Sequence, residues 1–294
     1  FEDYQKIEEV YKKKPQLVFT LQAQRRYHDG YIYTKQQIEK ITKLTYCPLT
    51  SVQSFHSDGQ WRFPDEIINQ TYHPYNQGYG KMSHSGYHSL DIAIWFSKAS
   101  LVENKTWNNF TLYSQFVRPV DFTAQLMPKD YINIFPKIDA EKLIDTDKMA
   151  KTNVNGEIDA FSNIALKRDD KTITSIMCSA VHNGFSQRNW ISAAGRDLYK
   201  GNGRIRQESY VLEQGPFQSI IINSFQSEEL MSRGADDYNV GGEYHFDIHI
   251  FRNSKLFPQF KAYELVKIND LRPVRDLGYS RGHQEEARRS CADE

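Results

Sequence analysis

The sequence predicts a mixed α+β protein built on antiparallel strands, and three observations carry that expectation. Residues 1–14 and the segment after Thr34 repeat apolar residues at helical spacing. Residues 157–167 and 171–184 alternate in polarity and are joined by the polar turn Arg168-Asp169-Asp170-Lys171, the pattern of an antiparallel hairpin. Strand-like alternation then returns beyond residue 206.

In the first helix, Phe1, Tyr4, Ile7, Val10 and Tyr11 form the apolar stripe. Lys12-Lys13-Lys14 suits the negative end of the helix dipole, and Pro15 ends the helix. Gln16 to Ala23 reads as a strand, with Tyr31-Ile32-Tyr33 as another after the His28-Asp29-Gly30 turn. Thr34-Lys35-Gln36-Gln37 has the form of a capping box and opens a helix that buries Ile38, Ile41 and Leu44 and stops at Pro48. Residues 54–88 read as a polar surface loop punctuated by Gly and Pro.

Next come strands at Ser89 to Phe96 and Trp107 to Ser114. Residues 119–155 form an excursion with a short strand, Tyr131 to Phe135, and a short helix, Ala140 to Met149. After the hairpin, residues 185–203 shift to Ser, Gln, Asn, Arg and Gly, which marks a boundary. Strands at Ser219 to Phe225, Tyr244 to Phe251 and Lys261 to Ile268 follow, and residues 272–294 read as an extended charged tail. The expected division is an extension at 1–29, a domain at 30–185, a β-rich region at 186–271 and the tail.

Composition excludes several function classes. With 39% hydrophobic and 13% aromatic residues among 294, the chain can bury a core and is not of a disordered class. Lys+Arg and Asp+Glu both total 37, so no global field favours nucleic acid or an anionic membrane. No apolar run is long enough to span a bilayer. Cys47, Cys178 and Cys291 form neither a metal spacing nor a disulfide framework, which fits a reducing, intracellular compartment. The acceptor patterns at Asn69, Asn104 and Asn109 are short enough to arise by chance.

The functional lead is one titratable group in each of two apolar runs. Asp91 lies in Ser89-Leu90-Asp91-Ile92-Ala93-Ile94-Trp95-Phe96, and His182 in Cys178-Ser179-Ala180-Val181-His182-Asn183-Gly184. Burial of either is costly unless it is paired or used. These runs, with Trp107-x-x-Phe110-x-Leu112-Tyr113-Ser114 between them and the turn at Asp169-Asp170, resemble in order the second hotdog repeat of the acyl-CoA thioesterase II family over residues 89–184. That family shows a Leu-Asp-His-Ser-Met-Trp-Phe type strand, a Trp-x-Leu-Tyr strand, an Asp-Gly turn and a Val-Gln-Glu-Gly ending.

The resemblance implies a hotdog fold, an antiparallel sheet wrapped on a helix, for residues 30–185, with a β-rich C-terminal extension. It also implies hydrolysis of an acyl-CoA thioester by water. In the family an Asp, a Gln and a hydroxyl residue position that water. Asp91 falls on the Asp, His182 stands where the family has Gln, and Ser114 or Thr152 would supply the hydroxyl. Acyl-CoA is then the expected partner, with homo- or hetero-oligomers through the sheets and no cofactor or metal. The alternative is an inactive hotdog subunit of a large assembly.

Three other patterns carry less. His84 and His88 have the spacing of two ligands on one helix face, but Gly86 lies between them and no Glu or Cys joins them. In His245-Phe246-Asp247-Ile248-His249 the polar trio alternates with Phe246, Ile248 and Ile250, so a water-facing trio is expected rather than a metal site. Gly201-Asn202-Gly203-Arg204 lacks the Lys-Ser/Thr of a phosphate loop, and acidic residues dilute the arginines of the tail.

Overall fold

The computed structural model describes residues 2–16, 23–59, 61, 63–69, 71, 75–134, 156–182 and 203–271. Its frame is one eight-stranded sheet in the order β2-β3-β4-β1-β5-β6-β7-β8. The strands are β1 (Ser51–Ser57), β2 (Asn109–Val117), β3 (Asp159–Arg168), β4 (Lys171–Val181), β5 (Ile205–Gln214), β6 (Gln218–Ser227), β7 (Asp247–Arg252) and β8 (Tyr263–Lys267). Every neighbouring pair is antiparallel except β1 and β4, which run parallel. The sheet therefore passes without a break from β4 through β1 to β5.

Helix α1 (Glu2–Lys13) is exposed along its length. The helices that build the core are α2 (Asp29–Thr45) and α4 (Tyr87–Ala99); a 3-10 turn (Gln24–Tyr27) precedes α2, and a π-helical turn (Met82–Gly86) leads into α4. The short helices are α3 (Pro64–Asn69), α5 (Pro119–Gln125), α6 (Pro128–Ile134), α7 (Glu228–Ser232) and α8 (Ile268–Leu271). α2 buries Tyr31, Thr34, Ile38, Ile41 and Thr42, and α4 buries Ser89, Ile92, Ala93, Phe96 and Ser97. Both sets have the three-and-four spacing of a single helix face. That face meets Val52, Tyr210, Leu212, Ile220, Ile222, Ile248 and Ile250 on the inward side of the sheet, all 1% exposed or less.

The hotdog expectation is overturned. The sheet is mixed rather than antiparallel throughout, and its helical cover is shared between two separate helices on one face. Ser89 to Phe96 is the body of α4, not a strand. The stretch is apolar at both alternating and helical spacings, so periodicity alone did not decide between them; the tertiary fit of the helical set did. Tyr31-Ile32-Tyr33 also lies in a helix, because α2 begins at Asp29. Thr34 is thus inside the helix and its hydroxyl donates to the Gly30 carbonyl at 2.8 Å instead of capping it. Tyr131 to Ile134 belongs to α6, and β1 runs into the stretch expected to be loop, from Ser54 to Ser57. Most of the Gln16 to Ala23 strand, the helix at 140–149 and the tail fall outside the described residues.

The hairpin holds. β3 and β4 join through Asp169 and Asp170 with φ of 48° and 65°, the left-handed pair of a two-residue turn matched to strand twist.

At its far end α2 is tied to the sheet by a buried polar lock. Arg252 donates from Nε to Gln218 Oε1 (2.9 Å), from Nη2 to Gln37 Oε1 (2.9 Å) and from Nη1 to Glu264 Oε2 (3.0 Å). Gln214 donates to Thr42 Oγ1 at 2.8 Å and the Cys47 carbonyl at 2.9 Å. Replacing Arg252 by Met should leave these acceptors buried and unpaired and lower stability by about 2–4 kcal/mol. Urea unfolding followed by circular dichroism measures it.

Candidate functional site

The inward side of the sheet changes character along its length. On β1 it reads Val52, Ser54, His56, then Asp58; on β5, from the other end, Leu212, Tyr210, Glu208, Arg206; on β6, Ile220, Ile222, Ser224, Gln226. The register sets these rows side by side. Ser54, Tyr210 and Ile222 are opposite one another, then His56, Glu208 and Ser224, then Arg206 and Gln226. Three strands thus turn polar at the same end, where the cover of α2 and α4 runs out. A cavity of about 360 Å³ opens there.

Its walls come from distant parts of the chain. Arg25 and His28, before α2, roof one side, and Tyr244, His245 and Phe246, before β7, close another. Phe246 packs on His28 with ring centroids 4.5 Å apart and on Tyr31 at 5.2 Å. Only a glycine allows that approach at position 30, where a Cβ would stand 2.3 Å from Phe246 Cε1. Arg204 and Arg206 enter from the start of β5, and Glu228 and Met231 from α7.

Glu208 anchors the floor. Arg25 Nη1 lies 2.6 Å from both of its oxygens, and the Tyr210 hydroxyl donates to it at 3.1 Å. Burial alone would raise this carboxyl, but the Arg25 charge and the Tyr31 and Tyr210 hydroxyls outweigh burial and bring its pKa down to about 2. His56 shifts the other way from its protonated form: burial first, then Lys81 and Arg25, push its pKa well below the usual value. It is a neutral imidazole at neutral pH, and its Nδ1 has no hydrogen-bond partner.

Arg206 is the cation without a direct partner. Its side chain is half-buried and makes no hydrogen bond or ion pair among the described residues. Burial, with Arg204 and Arg25 nearby, lowers its pKa to about 10, so it stays protonated at neutral pH.

A second polar group flanks the cavity. Lys81 Nζ lies 3.0 Å from Asp58 Oδ2, Arg204 Nε donates to the Asp58 carbonyl at 3.3 Å, and His182 Nδ1 stands 3.4 Å from Asp159 Oδ1. Gly59, at φ 68°, lets this corner pass Ile205, whose carbonyl oxygen would be 2.1 Å from any Cβ there.

The expected catalytic set is not assembled. Asp91 is held by Arg26, whose Nε donates to Oδ2 at 2.8 Å and whose Nη2 donates to Oδ1. His182 sits with Asp159 and with Asp58, 3.9 Å from its Nε2. Lys81, the cation on Asp58, and Asp91 are ten residues apart on one continuous helical run, roughly 15 Å of rise. Ser114 is on edge strand β2, 3.5 Å from Ser162 Oγ, and Thr152 lies outside the described residues.

The trio at 245–249 does not face water together as expected: His245 is buried beside Asp247, and His249 stands apart from both. His245 is buried and faces the cavity, accepting at Nδ1 from the Phe225 N–H (2.8 Å), with Nε2 3.3 Å from Asp247 Oδ2; His249 Nδ1 instead contacts the Tyr263 hydroxyl at 3.0 Å. Phe246, Ile248 and Ile250 do form the apolar face. Among the described residues no group of three or more His, Cys, Asp or Glu could hold a metal ion, and no helix is long and apolar enough to cross a membrane.

The sequence reading missed Arg25, His56, Arg206 and Glu208. A signal existed: the alternation of β5 keeps its period while its inward residues change from Leu212 and Tyr210 to Glu208 and Arg206. What it lacked was the register that aligns that change with His56 and Ser224.

No family model matches the chain, and no curated protein matches it. Three solved structures share features of its arrangement. A putative oxidoreductase from Thermotoga maritima is 14% identical with a TM-score of 0.42, the match covering 98% of this chain and 62% of that one. An oxidoreductase from Pseudomonas syringae is 8% identical with a TM-score of 0.40, covering 90% and 46%. An inositol dehydrogenase homolog from Azotobacter vinelandii, complexed with NAD+, is 10% identical with a TM-score of 0.36, covering 81% and 42%. The chain therefore spans less than two thirds of each. The mixed sheet, with Asp91 on Arg26 and His182 on Asp159 and Asp58, overturns the acyl-CoA thioesterase reading, the inactive hotdog subunit and acyl-CoA as partner. Likeness at these TM-scores brings no activity to this chain.

The buried charges make acid stability a readout of the site. Unfolded, His56 takes up a proton near its ordinary value of 6.5, which the folded chain refuses, so stability falls as pH drops below 6.5. Glu208 contributes stability that is present above 4.5 and lost as pH falls toward about 2, on the order of 3 kcal/mol in all. His56→Gln should flatten the unfolding free energy between pH 6.5 and 5, where one proton of linkage gives a slope of about 1.4 kcal/mol per pH unit. Glu208→Gln should destabilise at pH 7 and remove the steeper loss below 4.5. Denaturant titrations across pH check both.

Proposed function

We propose that this chain is a small-molecule-binding domain that receives a compact anion, a carboxylate or a phosphate group, in the cavity at the polar end of its sheet. The observation that carries this reading is Arg206: a half-buried guanidinium lining the cavity with no hydrogen bond or ion pair among the described residues. A buried charge is costly unless compensated; Arg204 and Arg25 add to that cost, and the Glu208 and Asp58 carboxylates offset it only at a distance, without a hydrogen bond or ion pair to Arg206. Arg25 already has Glu208 as its counter-ion. A planar guanidinium with five donors offers bidentate geometry to a carboxylate or phosphate. Neutral His56 beside it adds hydrogen-bonding capacity without charge. The volume lies at the lower end of the range for small-molecule sites, which suits a compact ligand.

Calorimetric titration of the full chain with inorganic phosphate and with small carboxylic acids tests the reading. Arg206→Gln should weaken anion binding by about 10- to 100-fold, the loss of a charge-assisted hydrogen-bonded pair. Arg233→Gln, on the exposed surface where Arg233 pairs with Glu229, should change nothing. Equal affinities in the chain with and without Arg206, or no anion bound at all, would overturn it.

A further inference from the structure

The cavity holds a second unpaired charge of opposite sign. Glu228, the first residue of α7, lines the cavity with Arg206. Its backbone N–H donates to the Arg204 carbonyl at 3.0 Å, which fixes the start of α7 against the start of β5. Its half-buried carboxylate makes no hydrogen bond or ion pair among the described residues, unlike the next residue, Glu229, which pairs with Arg233. Glu228 and Arg206 make no ion pair with each other. Arg206 stands opposite Gln226, and Glu228 lies two residues further on, roughly 7 Å along the backbone. The wall of the cavity also includes Met231, Phe246 and Ile268, which are apolar.

We infer that the ligand of this cavity is a small zwitterion, its acid group on Arg206 and an ammonium group on Glu228, joined by a short apolar spacer. This rests on the anion reading above and narrows it. A simple anion would satisfy Arg206 and leave Glu228 in a closing site without a counter-charge. A ligand carrying both charges compensates both, and its spacer meets the apolar wall. Glu208 does not compete for the ammonium group, because Arg25 occupies both of its oxygens.

The test is calorimetry on the full chain with ω-amino acids from glycine to 6-aminohexanoate, each compared with the carboxylic acid of the same carbon count lacking the amine. At one spacer length the amino acid should bind about tenfold tighter than its partner acid, the effect of one added charge-assisted contact. Glu228→Gln should erase that advantage while keeping affinity for the plain acid. Glu228→Asp, one methylene shorter, should move the preferred spacer one carbon longer. Arg206→Gln should weaken both ligand series. Equal binding of amino acid and plain acid at every length, or an advantage that survives Glu228→Gln, overturns the zwitterion while leaving the anion reading standing. Failure of phosphate and every acid to bind overturns both.

Discussion

The buried ion pair between Arg25 and Glu208 is the constraint on which the cavity end of the molecule depends. It joins the 3-10 turn before α2 to the middle of the sheet, a link between residues 183 positions apart in sequence. Desolvating both charges is expensive, and their attraction repays it only because the remaining oxygen lone pairs are also used, here by the Tyr210 and Tyr31 hydroxyls. With both Glu208 oxygens on Arg25, Glu208 makes no direct pair with Arg206 and offsets its charge only at a distance. One buried interaction therefore closes the roof of the cavity and leaves a cation inside it.

The polar end is held by the rest of the core through a second set of contacts. Tyr210, fully buried, carries the hydrogen bond from Glu208 inward to Ser89 Oγ at 3.3 Å, and Ser89 Oγ lies 2.6 Å from Ser54 Oγ. This seam connects β5, α4 and β1 just behind the cavity. At the opposite end of α2, Arg252 with Gln37, Gln214 and Gln218 performs the same task. The helix is pinned at both ends by polar contacts and packed between them by aliphatic and aromatic side chains, so the groups it presents to the cavity have little freedom to shift.

Legibility from sequence followed the range of the forces involved. The β3–β4 hairpin could be read because its two-residue turn and the alternation on either side are local. α1 and the β6, β7 and β8 strands were visible for the same reason. Ser89 to Phe96 was misread because Leu90, Ile92, Ile94 and Phe96 alternate as well as Ser89, Ile92, Ala93 and Phe96 repeat helically, and only the partners on β1 and β4 choose between them. β1 was hidden in a polar, aromatic stretch because its inward Ser54 and His56 face a polar seam, so the apolar alternation that marks a half-buried strand is absent. The mistaken site followed from that: with residues 89–96 taken as a strand, Asp91 and His182 fell on one imagined sheet, whereas a helix sends Asp91 to Arg26.

The site itself was the least legible part, and the reason is geometric. The polar residues that define it sit at positions 25, 56, 206, 208 and 228, with no fixed spacing among them, and none forms a motif with its sequence neighbours. What brings them together is the placement of β1 at the centre of the sheet, parallel to β4 and antiparallel to β5. That parallel pair requires the long crossover containing α4, and the crossover covers one end of the inward face while leaving the other open. The uncovered end is therefore a consequence of topology, and polar side chains occupy it because an apolar row there would face water. Arg206 and Glu228 go further than that requirement. Hydroxyls and amides such as Ser224 and Gln226 would be enough to line a wet crevice; two opposite charges kept apart across it give the crevice a polarity of its own, directed from the first turn of α7 to the start of β5.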